Sequence, residues 1–150
     1  MTFVVPFDGS PLSKEALRRA TEFAPVKDAT IVAVSIIPHN NKKYAKEQGW
    51  VDDESEYELE AVVNRLESQV EEIAPDAEYH HRLVDRWANS GTIAARLKRF
   101  IRDEDTSMVF LGSENAGRII TSVSNIGPRL TTKNQIDIVL VRRLSDSNKR

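Results

Sequence analysis

The sequence predicts an α/β fold: a single domain built on an open, parallel, five-stranded sheet with helices on both faces. Three observations predict it. Short apolar, β-branched runs alternate with stretches of helical period along the whole chain, the pattern of strands joined by crossover helices. The chain has 150 residues, one domain's worth. It is 40% hydrophobic and 29% charged, which is ordinary for a globular protein with a real core. Right-handed crossovers restrict the topology further. No repeat, low-complexity tract or interdomain linker interrupts the pattern, so residues 1–143 read as the domain and 144–150 as a polar, frayed tail.

Phe3-Val4-Val5-Pro6-Phe7 is a buried strand that ends in Asp8-Gly9. Pro6 has no amide to donate, so an early or irregular end is expected there. Ser10 caps the following helix and Pro11 takes its first position. Leu12, Ala16, Leu17, Ala20, Phe23 and Ala24 fall on its inner face, and Pro25 is expected to stop it. Thr30 to Ile37 is the clearest strand, rich in β-branched residues. Pro38 to Val51 has weak periodicity and reads as a long, mobile connection.

Asp52 to Glu60 carries six acids in nine residues and is expected to form the acidic first turn of the next helix. Leu59, Val62, Val63, Leu66, Val70 and Ile73 are its buried stripe, and Pro75 ends it. Glu78 to Val84 alternates with polar residues, which places it near a sheet edge. Asn89 or Ser90 caps a further helix whose inner face is Ile93, Ala94, Leu97, Phe100 and Ile101. Met108 to Leu111 is a fully apolar strand running into Gly112-Ser113. A short helix is expected after Gly127-Pro128, and Ile138 to Val141 is the last strand. The first and fourth strands, being the most apolar, should be central.

Composition excludes several classes of function. Cysteine is absent, which removes disulfides, Cys-ligated zinc, iron–sulfur clusters and thiol catalysis. No apolar run approaches the roughly 20 residues that span a bilayer. The first residues show no basic region followed by a cleavage site, so neither a membrane nor a secretory route is expected, and a cytoplasmic location is. The net charge of −2 is too balanced for a general nucleic-acid binder. The charge is unevenly distributed. Residues 1–113 hold 20 acids and 14 bases, and residues 114–150 hold 3 acids and 7 bases. A basic C-terminal third suits an anionic ligand, and equally a solvated surface.

In an open doubly wound sheet, ligands bind beyond the carboxyl ends of the strands where the strand order reverses. Two loops qualify: Asp8-Gly9-Ser10, and Gly112 to Gly127. The second offers Gly112 and Gly117 for close backbone approach, Asn115 for a left-handed turn and Arg118 for an anion. A hydroxyl-rich stretch containing Ser124 and Asn125 follows, where free amides at a helix start can hold a phosphate. The plain alternative is a capped turn with no ligand. Asp8 likewise either orients a ligand group or caps the backbone before Ser10. His80 and His81 are adjacent on a strand and point to opposite faces, so they cannot share a metal. Trp50 and Trp87 read as edge covers rather than base-stacking platforms. No catalytic or metal site emerges: the loops hold no nucleophile elbow, no metal-ligand spacing and no placed general base.

Val5-Pro6-Phe7-Asp8-Gly9-Ser10-Pro11-Leu12-Ser13 with Ala16-Leu17, joined to Val109-Phe110-Leu111-Gly112-Ser113 and Ile138-Val139-Leu140-Val141-Arg142-Arg143, resembles the universal stress protein family over about residues 2–143. The resemblance implies an adenine-nucleotide α-hydrolase-like sheet of order 3-2-1-4-5 and a homodimer. In one branch it implies bound ATP. That branch has Gly-x-x-Gly, a nine-residue spacer, then Gly-Ser/Thr; here Gly112 takes the first glycine and Asn115 stands at the second. With one residue deleted, Ser124-Asn125-Ile126-Gly127 aligns with the family's Gly-Ser segment. Alternatively Gly117 and Gly127 carry the spacing, followed by Pro128, and a third register uses Thr121-Ser122. No register restores the full motif. The implied nucleotide-binding set is Asp8, Ile36, Gly112, Asn115, Gly117, Arg118, Ser124, Asn125 and Gly127, with weakly bound ATP or AMP.

Two main readings compete. One is a cytoplasmic stress-response protein that binds an adenine nucleotide and presents that state to an unknown protein partner. The other is a ligand-free dimeric scaffold or chaperone-like protein of the same fold. A nucleotide-dependent enzyme is the third and lacks a catalytic group in the loops. If the family order holds, the apolar last strand is an exposed edge. Its Ile138, Val139, Leu140 and Val141 are then expected to pair with a second copy.

Overall fold

The computed structural model describes residues 1–54, 56–112 and 136–144. In chain order the elements are β1 (Thr2–Pro6), α1 (Pro11–Lys27), β2 (Thr30–Pro38), α2 (Lys42–Glu47), α3 (Leu59–Ile73), β3 (Glu78–Val84), α4 (Ser90–Asp103), β4 (Met108–Leu111) and β5 (Asp137–Leu140). The five strands form one parallel sheet in the order β3-β2-β1-β4-β5. The expected fold class and strand order are therefore observed. β1 is central, β4 is internal, and the polar β3 lies at an edge.

The sheet separates two cores. Phe3, Val5, Phe7, Ile31, Ala33, Ile37 and Phe110 point to one face and pack under α1 and α3. Val4, Val32, Val34, Val109 and Leu111 point to the other and pack under α4. A strand buried on both faces must be apolar at every position, which is why β1 and β4 lack polar alternation.

Capping follows the local sequence. The Ser10 side chain accepts from the Ser13 amide at 3.2 Å, with Pro11 at the first turn of α1. Asn89, rather than Ser90, caps α4 by accepting from the Thr92 amide at 2.8 Å.

Some expectations are corrected. Pro25 does not stop α1, which continues to Lys27. Proline in a last turn loses one hydrogen bond but has a helical φ. The stop comes from Asp28, in the left-handed region at φ 52°, with the Ala29 amide closing back on the Ala24 carbonyl at 2.9 Å. Phe23 lies at the margin of the inner face: it is 46% exposed, with its ring 5.9 Å from that of buried Phe110. The connection after β2 is not unstructured, because it carries α2, capped by Asn41. α3 begins at Leu59, so of the acidic segment only Glu60 lies in its first turn. The last strand runs one residue earlier than expected; β1 does end early at Pro6, as expected there, while the Phe7 amide still donates to the Val34 carbonyl at 2.8 Å. The helix expected after Gly127-Pro128 lies outside the described residues.

Candidate functional site

β1 and β2 end side by side, and the chain leaves β1 through Asp8-Gly9-Ser10. Gly9 holds φ +81°, a left-handed conformation that a side chain strains, and an added Cβ would come within 2.8 Å of Gln69 Oε1. Asp8 organises this turn. Its Oδ1 accepts from the Ser10 amide at 2.9 Å, the Asx turn that local sequence allows. Its amide meets Ser13 Oγ at 3.4 Å. Its carbonyl accepts from Trp50 Nε1 at 2.8 Å. Ser35 Oγ donates to the Phe7 carbonyl at 2.6 Å, tying β2 to the same turn.

A cleft opens here between the strand ends and the first turns of α4. Pro6, Phe7, Asp8, Val34, Ile36 and Tyr44 form one side, and Ser90, Ile93, Ala94 and Leu97 form the other. Its empty space is about 520 Å³, counting the open mouth. A mostly apolar wall with few polar groups is typical of a small-molecule site, although the enclosed space itself is only about 60 Å³. A larger hollow of about 910 Å³ lies at the opposite end of the sheet, between the ends of α1 and α3. It is remote from the strand carboxyl ends, where this architecture binds ligands.

Sequence reasoning missed Tyr44 on the cleft wall and Trp50 beneath it. Trp50 is buried and packs edge-on to Tyr44 at 5.5 Å. It is a wedge under the Asp8 turn, not an edge cover. Burial, with the Asp8 and Glu47 carboxylates adding to it, pushes the Tyr44 phenol up to about 12. Like any tyrosine it is protonated at neutral pH, and it lines the cleft wall. The signal that finds α2 is Asn41 three residues before Tyr44, the spacing of an N-cap. Trp87 covers no edge either: it is 76% exposed, with the Arg86 guanidinium 4.9 Å from its ring centre.

Of the sequence-derived site residues, Asp8 and Ile36 are brought together on the cleft wall. Gly112 follows β4 and is buried. A Cβ there would collide with the Leu12 carbonyl and reach Ala16 Cβ at 3.0 Å, so this glycine admits the backbone of α1. Asn115, Gly117, Arg118, Ser124, Asn125 and Gly127 lie outside the described residues. At the β5 edge, Leu140 is 39% exposed, Ile138 and Val139 are partly buried, and Val141 belongs to the core. Among the described residues no three His, Asp or Glu side chains converge as a metal site, and no helix is long and apolar enough to cross a membrane.

Comparison with known proteins agrees with this architecture. No curated protein matches the chain. A universal stress protein solved in complex with cAMP is 17% identical, with 95% of this chain and 96% of that one covered and a TM-score of 0.56. The universal stress protein from Archaeoglobus fulgidus in complex with dAMP is 18% identical, with 95% and 98% covered and a TM-score of 0.54. A universal stress protein family protein from Arabidopsis thaliana with AMP bound is 8% identical, with 97% and 94% covered and a TM-score of 0.52. At these identities the likeness is one of fold. The model of the universal stress protein family matches residues 1–125, the span that builds β1 to β4 and the cleft, and the chain belongs to that family.

Proposed function

We propose that this protein is a regulatory, stress-response member of its family that binds an adenine nucleotide, AMP or ATP, weakly in the cleft between the Asp8 turn and α4. The observation that carries the reading is the cleft itself. Ile36, Ile93 and Leu97 offer a flat base an apolar slot, while Asp8 and the protonated Tyr44 hydroxyl supply polar groups at its rim. Structural neighbours of the same fold hold cAMP, dAMP and AMP.

Weak binding is the expected grade. The motif departs from its family at Asn115 and Asn125, and Pro128 lacks a backbone donor. One lost charge-assisted hydrogen bond costs about 1.5–3 kcal/mol, more than tenfold in affinity. Two such departures move a micromolar ligand toward millimolar.

Calorimetric titration with AMP and ATP at low salt tests the reading. Saturable heat that is abolished by Ile36→Trp, which fills the slot, supports it. No heat and no competition at millimolar nucleotide, with correctly folded protein, overturns it in favour of a ligand-free scaffold. One observation favours that second reading: Asp8 Oδ1 is already used by the Ser10 amide. A cytoplasmic location, a homodimer paired through β5 and a protein partner that reads the nucleotide state complete the proposal.

A further inference from the structure

α4 carries Arg96, Lys98, Arg99 and Arg102 against the single acid Asp103. Three of these residues fall on one stripe. Arg96, Arg99 and Asp103 recur at helical spacing beside Phe100, whose ring faces the edge strand β3. Arg82 of β3 lies across that stripe, its guanidinium carbon 5.0 Å from the Phe100 ring centre. Phe100 is buried and also contacts the His80 ring at 5.8 Å, so the platform under Arg82 is fixed. Arg82 spends one nitrogen, Nη1, on the His81 carbonyl at 2.8 Å, which further orients its fork.

Among the described residues, Arg96 Nη1 is shielded from solvent and meets no hydrogen-bond partner. Burial, with Arg99 and Arg82 adding to it, pulls the Arg96 guanidinium below the ordinary arginine range, and Asp103 opposes this. Asp103 is not a dedicated partner, since its carboxylate sits 3.9 Å from Arg102 Nε. Charges that merely guard an edge strand against pairing point into water. A solvent-shielded guanidinium donor without an acceptor, beside two further cations, is a different arrangement and costs stability until an anion completes it.

We propose that Arg82, Arg96 and Arg99 form a binding site for a phosphate-class oxyanion at the β3 edge of the sheet. Tetrahedral oxygens suit guanidinium forks, which present paired donors in a plane. The anion gives Arg96 Nη1 its acceptor and relieves the repulsion among the three cations. In register, Arg82 is the partner of Ile36, a cleft residue, so the site flanks the cleft on the side away from Gly112. It does not depend on nucleotide binding in the cleft.

Inorganic phosphate is the probe. It is titrated into the isotope-labelled full chain at neutral pH, with ionic strength held constant by chloride, while arginine Nε–H signals are followed by NMR. Saturable shifts at Arg82, Arg96 and Arg99 are expected, with affinity at least about tenfold weaker in both Arg96→Gln and Arg99→Gln. Arg99 is exposed, so its variant reports even if Arg96→Gln folds poorly. Equal shifts with chloride alone, or wild-type affinity in folded Arg99→Gln, overturn the site. AMP then identifies the source of the anion. Displacement of phosphate by AMP assigns the site to the phosphate end of a nucleotide, and simultaneous binding assigns it to free phosphate. Both outcomes keep the site.

Discussion

Trp50 Nε1 donates to the carbonyl oxygen of Asp8 at 2.8 Å, across 42 residues of sequence. This bond joins the segment after α2 to the turn after β1. It holds the Asp8 turn from beneath while Tyr44, packed on the same indole, lines the cleft. Trp50→Phe keeps most of the ring and deletes the donor. The Asp8 carbonyl then loses its partner, at a cost of about 1–2 kcal/mol. A lower urea midpoint with an unchanged denaturant slope is the expected result, together with weaker AMP binding in calorimetry. Wild-type values for both would show that the indole acts by packing alone.

Much of the fold was legible because its determinants are local. Ser10-Pro11 and Asn89 announce helix starts through side chains that reach only three residues ahead. β1 and β4 announce central positions by having no polar face. The cleft was half legible. Asp8 and Ile36 follow from strand ends, but Trp50 reaches the site through a contact no window of sequence contains. α2 has six residues, too few to establish a hydrophobic period, so its buried Ala45 and half-buried Tyr44 looked like loop residues. Gly112 was visible as a position needing close approach, and only the packing of α1 shows what approaches.

Gly112 therefore reports on packing first. Gly112→Ala drives a methyl into the Leu12 carbonyl, which is backbone at the start of α1 and cannot rotate away. Overpacking of this kind costs about 1–3 kcal/mol. Thermal unfolding should show a depressed midpoint even with no nucleotide present. A Gly112→Ala protein of wild-type stability that loses only AMP binding would return this glycine to a phosphate role.

The cap of α1 can be tested separately. Ser10 Oγ accepts from the Ser13 amide, and Ser13 Oγ in turn donates to the Ser10 carbonyl at 3.0 Å. Ser10→Ala removes the acceptor and should cost about 1 kcal/mol. Ser10→Asp should retain most of the stability, since a carboxylate caps equally well and favours the helix dipole. Urea unfolding of the two variants side by side checks the order.

Alkaline pH probes two buried phenols. Tyr44 and Tyr79 are each pushed up to about 12 from the ordinary 10.0, burial being the larger cause in both. The Glu67 carboxylate adds to the shift at Tyr79, and the Ser35 hydroxyl opposes it. An unfolded chain ionises each near 10 while the folded chain resists until about 12. The unfolded state then binds fewer protons, so stability falls as pH rises through that window. The slope is at most about 1.4 kcal/mol per pH unit for each tyrosine. Below that window the two phenols contribute no slope. Urea midpoints across the range should decline, and the decline should shrink in Tyr44→Phe and again in Tyr44→Phe/Tyr79→Phe. An undiminished decline in the double variant would place the titration in other groups.

The dimer proposal is best tested at Leu140. β5 pairs with β4 on one side and is the last strand of the sheet among the described residues, none of which pairs with its other edge. Leu140 is the most exposed apolar side chain on it. A free edge of this kind invites pairing with another chain unless it is covered. Two copies meeting along β5 would cover it by closed two-fold symmetry, the commonest arrangement of oligomers. Val141→Lys is a poor test because Val141 is only 4% exposed and belongs to the core, so a lysine there attacks folding. Leu140→Lys places its charge at the edge and leaves the core intact. Sedimentation velocity should show a wild-type dimer and a folded, predominantly monomeric Leu140→Lys. Val139→Lys should act in the same direction with some loss of stability, since Val139 also packs partly on the α1 face. A wild-type monomer, or a dimer indifferent to both folded variants, would remove β5 from the interface.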